Sequence, residues 1–174
     1  DRVLDLVSAI CRRSAYLSLL FQNPIASKRM LELFALSKRV SDVVTRHPAL
    51  LDELIDPSLG AYPPTNKDIR LNVKRILNQN NDIETALQDL NYLKLVITLR
   101  VSVAVLKSTM SSHETRTALS QLAESLVQAT LNLSLREVES RHGCLPGPGL
   151  AVIGYGSLGA SALGFDSDLD IIFL

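Results

Sequence analysis

The chain has 174 residues, 47% of them hydrophobic and 21% charged, a balance that suits a soluble globular protein with one sizeable core and excludes a disordered chain. Its formal net charge is zero, with 18 Lys and Arg against 18 Asp and Glu, so the basic excess that announces a nucleic-acid-binding domain is missing. Cys11 and Cys144 lack metal-ligand spacing and read as reduced cytosolic thiols, no secretory signal is apparent, and the longest apolar stretch, residues 93–106, falls short of the ~20 residues that span a bilayer.

Over residues 2–21 apolar side chains recur at Val3, Leu6, Val7, Ile10, Leu17 and Leu20, close to the helical period, and predict one amphipathic helix. Asn23-Pro24 has the form of an N-cap followed by Pro at the first helical position and opens a second helix over 25–36. Ser37 can cap a third, ending near His47. Pro48 opens a short helix over 49–55, after which Pro57, Gly60, Pro63 and Pro64 mark a loop. Helical pattern returns over 67–77, residues 78–81 are turn-prone, and Asp82 can cap a long helix reaching about Met110. Ser111-Ser112-His113-Glu114 has the spacing of a capping box, and the last helix should run to His142 before Gly143 stops it. Leu95, Val96, Leu99, Val103, Leu106, Leu122, Leu126 and Leu133 are the expected core of these helices. Lys94 and Arg100 are expected to carry their charges to the bundle surface, and His47, His113 and His142 stand at helix ends as caps rather than ligands.

Pro146, Gly147, Pro148 and Gly149 form a linker. The chain then divides into a helical bundle, 1–145, and a different kind of segment, 146–174. The second piece carries three Asp and no Lys or Arg. Residues 150–153 are a short apolar run broken by Gly154-Tyr155-Gly156-Ser157, and residues 168–174 are a second apolar run that opens on carboxylates at alternate positions, Asp168 and Asp170. This is the pattern of strand, glycine turn, strand. Alternation in a strand puts Asp168 and Asp170 on one face, about 7 Å apart along the chain, where they can converge on a cation. Carboxylate oxygens suit hard Mg²⁺, and the backbone N–H groups of a glycine turn with the Ser157 hydroxyl suit phosphate oxygens. An Asp-x-Asp pair on a solvated strand is common, but two acids opening so apolar a run need water at a strand end or a cation.

Gly154, Gly156 and Gly159 also spell G-x-G-x-x-G, the fingerprint of a dinucleotide-binding turn. That reading requires a full helix after the last Gly and an acid at the far end of the second strand. Only eight residues separate Gly159 from Asp168, and both acids stand at the start of their strand.

Gly156-Ser157, ten residues, then Asp168-Leu169-Asp170 resembles the signature of the polymerase-β-type nucleotidyltransferase superfamily. Within it, the stretch GYGSLGASALGFDSDLDIIFL closely resembles the catalytic segment of bacterial glutamine synthetase adenylyltransferases, whose usual form runs GYGKLGG, then LGYSSDLDLIFL. Ser157 stands where that family commonly has Lys, and Ala160 where it commonly has Gly. The resemblance extends into the helices. Arg13-Ser14-Ala15-Tyr16-Leu17 with Asn23-Pro24, the run from His47 to Pro57, and Leu99-Arg100 look like the lead-in to the C-terminal, adenylylating half of that two-part family.

The resemblance implies a mainly α fold, a helical bundle followed by the opening strands of a polymerase-β-like α/β domain. It implies a cytoplasmic enzyme that transfers AMP from ATP to a tyrosine of glutamine synthetase, using Mg²⁺ or Mn²⁺ and regulated by a PII signalling protein, with neither nucleic acid nor membrane as partner. Asp168 and Asp170 would be the catalytic metal ligands, and Gly156 and Ser157 would hold the nucleotide phosphates. The superfamily also needs a third carboxylate on a later strand, expected beyond Leu174, so this chain is expected to be a piece of a longer protein and inactive alone. Two other readings stay open. One is the adenylyl-removing half of the same family, which uses phosphate to release ADP, and the other is a non-catalytic helical interaction module.

Overall fold

The computed structural model describes residues 2–11, 14–80, 82–143 and 149–174. The expected division at 145/146, with Cys144, Pro146 and Arg13, lies outside these. The chain is mainly helical and carries a two-stranded antiparallel sheet, as the sequence implied. It forms two compact units, one of Asp1–Pro63 with Thr98–Ser111, the other of Pro64–Ile97 with Ser112–Leu174.

The first unit contains α1 (Arg2–Ile10), α2 (Ser14–Gln22), α3 (Pro24–Leu36), α4 (Lys38–Arg46), a 3₁₀ segment (Pro48–Leu54) and the latter part of α6 (Ile83–Leu106). The single helix expected over 2–21 is two helices. Between Ile10 and Leu17 the apolar stripe lapses, so a continuous helix would have no face to bury there; Leu6 and Ile10 of α1 are buried, whereas α2 buries no residue. Ser37 closes one helix and opens the next: its N–H donates to Leu33 O at 2.9 Å, and its hydroxyl accepts from Val40 N at 3.3 Å. Phe34, Val44, Leu50, Leu51 and Leu54 are among the side chains fully buried in this unit's core.

Arg100 departs from expectation. It does not carry its charge to the surface, because Glu53 and Asp56 meet it halfway: Nε donates to Glu53 Oε2 at 2.8 Å and Nη2 to Asp56 Oδ2 at 2.7 Å. Its side chain is only 26% exposed, so the pair of carboxylates supplies what water would otherwise supply. The same strap is tied from the other side by Arg29, whose Nη1 donates to the carbonyls of Leu54 and Asp56. Two hydrogen bonds from Ser58 and the guanidinium of Arg100 hold the Asp56 carboxyl down at about 2. Lys94, by contrast, is exposed as expected.

The second unit contains α5 (Asn66–Gln79), the earlier part of α6, α7 (Ser112–His142), β1 (Val152–Gly154), α8 (Gly156–Gly159) and β2 (Ile171–Phe173). Thr65 and Asp68 form a reciprocal capping box that starts α5. Asp82 caps α6, its carboxylate accepting from Thr85 N at 2.8 Å, and Gly143 ends α7 at φ +84 with its N–H on Glu139 O. α5 packs along α7, with Ile69 and Val73 of the one and Leu122, Ala129 and Leu133 of the other buried. Of the eight expected core residues, Leu99, Val103, Leu122 and Leu133 are buried, and Leu95, Val96, Leu106 and Leu126 are half-buried.

Candidate active site

β1 and β2 pair with Val152 opposite Phe173, Ile153 opposite Ile172 and Gly154 opposite Ile171. The pairing continues by one residue at each end. Ala151 and Leu174 exchange hydrogen bonds of 2.8 and 2.9 Å, and Tyr155 N–H donates to Asp170 O at 3.0 Å. Asp170 therefore stands opposite Tyr155 at the last rung of the ladder, just before β2 rather than inside it, and Asp168 lies two residues further out in irregular backbone. The strands are shorter than expected because Gly156, at φ +58, turns the chain away and leaves Asp168 and Leu169 outside the ladder.

That turn brings the acid and the glycine together. A Cβ placed on Gly156 would lie 2.2 Å from Asp170 Oδ2, so only a residue without a side chain lets the carboxylate sit there. After Gly156 the chain makes the single helical turn of α8. Gly159 completes it under a similar restriction, since a Cβ there would meet Gly154 O at 2.7 Å. Ala160 sits at φ −84, a conformation open to any residue, so alanine serves where the family's usual form has glycine. Ser157 is half-buried within α8, while Asp168 and Asp170 are exposed.

The segment from α8 to the acids is anchored by Leu158 and Leu163, both buried, and by a hydrogen bond to α7, in which Leu163 N–H donates to Ser120 Oγ at 3.2 Å. Ser120 was not among the expected site residues. Its signal is a small polar residue, 1% exposed, between Leu119 and Leu122 on the buried stripe of a helix, where a hydroxyl persists only with a partner. Ser167 closes the loop, its hydroxyl accepting from Gly164 N at 2.9 Å directly before Asp168.

Beside the sheet lies a cleft of about 550 Å³ between α7 and the β1–α8 segment, lined by Glu124, Gln128, Val152, Gly154, Leu158 and Ile171. Neither Asp168 nor Asp170 lines it, so the acids look onto other space. Among the described residues no three His, Cys, Asp or Glu side chains gather as a metal-binding group. Chemically, the acid-on-glycine arrangement offers carboxylate oxygens to a hard cation. Next to them, the first turn of α8 has backbone N–H groups that no earlier helical carbonyl accepts.

Comparison with known proteins gives the chain its family. The family model described as glutamate-ammonia ligase adenylyltransferase matches residues 27–174. A bifunctional glutamine synthetase adenylyltransferase/adenylyl-removing enzyme of Xanthomonas campestris pv. campestris is 38% identical over 173 residues, covering 99% of this chain and 18% of the relative. Proteins of the same description from Pseudomonas putida and Idiomarina loihiensis are 35% and 33% identical, each matched by the whole chain over 19% of its own length. The chain thus spans less than a fifth of the relatives it matches.

Proposed function

The chain belongs to the glutamate-ammonia ligase adenylyltransferase family, and on that premise we propose that it is part of the adenylylating half of a bifunctional enzyme that transfers AMP from ATP to a tyrosine of glutamine synthetase. The observation that carries the reading is Asp170 packed against Gly156 at the end of the β1–β2 ladder, in a stretch that resembles the family's catalytic motif except at Ser157 and Ala160. In this reading residues 1–145 are the helical lead-in and 146–174 the start of the nucleotidyltransferase domain. The enzyme works in the cytoplasm, where a PII signalling protein regulates it. No described helix is long and apolar enough to cross a membrane.

Asp168 and Asp170 would hold Mg²⁺ or Mn²⁺, for which their hard oxygen donors and exposure to solvent fit. Such an ion, when bound, neutralises triphosphate charge and makes the attacking phenol easier to deprotonate. The chain's own part is positioning. Gly156 keeps space for the Asp170 carboxylate, and the N–H groups of the first turn of α8 with the Ser157 hydroxyl would hold phosphate oxygens. Leu158, Leu163 and Ser120 fix the segment between them, so that little rearrangement is left for the moment of reaction. In the transfer, the tyrosine oxygen bonds to the α-phosphorus, the bond from that phosphorus to the bridging oxygen breaks, and pyrophosphate leaves. A third carboxylate from a later strand would complete the site.

The test is Asp168→Asn and Asp170→Asn in the longer enzyme, assayed in both directions on the same preparation. ATP-driven modification of glutamine synthetase should fall by several orders of magnitude while phosphate-driven removal survives, because Asn keeps the volume and removes the charge. Loss of removal with modification intact would assign the chain to the adenylyl-removing half. If both reactions survive, the acids are not catalytic, and absence of Mn²⁺-induced broadening at residues 168–173 would leave the helical interaction module as the reading.

A further inference from the structure

A groove between α5 and α7 has neither the acids nor the glycine turn in its lining, although it shares Glu124 and Gln128 with the cleft beside the sheet, and it has no part in the transfer just described. It encloses about 560 Å³, within the ~300–1,000 Å³ typical of small-molecule sites. Its floor is apolar, with Val73 and Ala129 buried and Leu77 half-buried. The rim is polar and unbalanced: Arg70 and Lys74 stand one turn apart on α5 and Arg136 on α7, against a single carboxylate, Glu124. That excess of positive charge is local, since the chain as a whole has none.

Partners do not absorb these cations. Arg70 uses Nε to donate to Asn66 Oδ1 at 3.2 Å, which leaves the end of its guanidinium fork unspent. Among the described residues, neither Lys74 nor Arg136 enters an ion pair, although elsewhere in the chain Arg100 and Arg141 do. Amides occupy the positions between the charges. Gln128 and Asn132 follow Glu124 along α7 at four-residue steps before Arg136, with Gln128 Nε2 donating to Asn132 Oδ1 at 3.1 Å.

Guanidinium forks with an ammonium are the donor set for phosphate oxygens, and amides above an apolar floor suit an uncharged organic body. We infer that the α5–α7 groove binds a small organic phosphate, at a site separate from Asp168 and Asp170. Phosphate oxygens engage Arg70, Lys74 and Arg136, and the organic part lies over Val73 and Leu77 within reach of Gln128 and Asn132.

Isothermal titration of the chain with ADP and with ribose 5-phosphate tests this, beside inorganic phosphate, in a chelating buffer so that no metal can bridge ligand to the acids. At least one organic phosphate should bind saturably and about tenfold or more tighter than inorganic phosphate, and the double variant Lys74→Gln/Arg136→Gln should weaken it by about tenfold or more. Both substituted side chains are exposed, so an unchanged urea midpoint confirms that the variant is folded. Asp168→Asn/Asp170→Asn should leave the affinity as it was. The inference is overturned by any of four results: no saturable binding of either compound at millimolar concentration, equal affinity for inorganic phosphate, indifference to the Lys74 and Arg136 changes, or loss of binding in the Asp168/Asp170 variant.

Discussion

Gly156→Ala separates what the glycine does for the backbone from what it does for the acid. Two costs are expected. At φ +58 an alanine is strained by about 1–2 kcal/mol whatever surrounds it. The new Cβ would also lie 2.2 Å from Asp170 Oδ2 and 3.2 Å from its Cγ, against the ~3.5 Å at which carbon atoms rest in contact. Because Asp170 is exposed it can rotate aside, at roughly 0.5–1.5 kcal/mol for an off-rotamer side chain. Truncating the acid in the same molecule removes the second cost and keeps the first, since only the Asp170 Cβ, at 3.5 Å, would remain nearby. Urea denaturation of the parent, G156A, D170A and the double variant therefore forms a cycle with a predicted coupling of about 0.5–1.5 kcal/mol, the double variant being less destabilised than the sum. Mn²⁺ titration followed by line broadening at residues 168–173 should show weaker binding in G156A, as the carboxylate has moved. Additive costs within about 0.3 kcal/mol would refute the packing of Asp170 over Gly156, and with it the geometric basis of the site.

Arg100→Ala should cost about 2–4 kcal/mol in the same denaturation assay, because it strands Glu53 and Asp56 beside each other in a half-buried place, and Arg100→Lys should recover less than half of that since an ammonium cannot fork to both; a loss under about 0.5 kcal/mol would make the cluster ornamental. Asp56, held at about 2 against an ordinary 3.8, contributes stability that is complete above pH 4 or so and disappears as pH falls toward 2. Asp56→Asn should accordingly flatten the acid limb of a stability–pH curve, and an unchanged slope would contradict the assignment; Asp42, lowered by its hydrogen bond from Lys38, and Asp68 and Asp82, lowered by their capping hydrogen bonds, add to the slope. Leu99→Ala, at a side chain 2% exposed, should cost about 2–5 kcal/mol, with a value below 1 indicating loose packing.

Local chemistry is what the sequence made legible. Ser37, Asp82 and Gly143 mark helix ends through bonds that span four residues or fewer, and each does so in the structure. The glycine turn and the two strands around it could be read for the same reason, though not their antiparallel pairing. The pairing of Arg100 with Glu53 and Asp56, more than forty residues away, has no periodicity to announce it, and a charged residue in an apolar helix was assigned to the surface by default. At the site, alternation placed Asp168 and Asp170 within a strand. Strand length depends on a partner as well as on pattern, and Gly156 withdraws that partner one residue too early.

The short ladder has a kinetic meaning. Strands of three residues, with one further hydrogen-bonded rung at each end and with Ile153, Ile172 and Phe173 about half exposed, have little burial of their own to resist opening. Amide exchange at Tyr155 and Ile172 should therefore proceed through local fluctuations that leave α7 closed, with opening free energies far below that of global unfolding. Leu163 is the exception within this segment, because its N–H is buried on Ser120 and can exchange only when the loop lifts from the helix. The amide of Leu163 thus becomes a clock for the acids: its protection measures how often the loop that carries Asp168 leaves its seat.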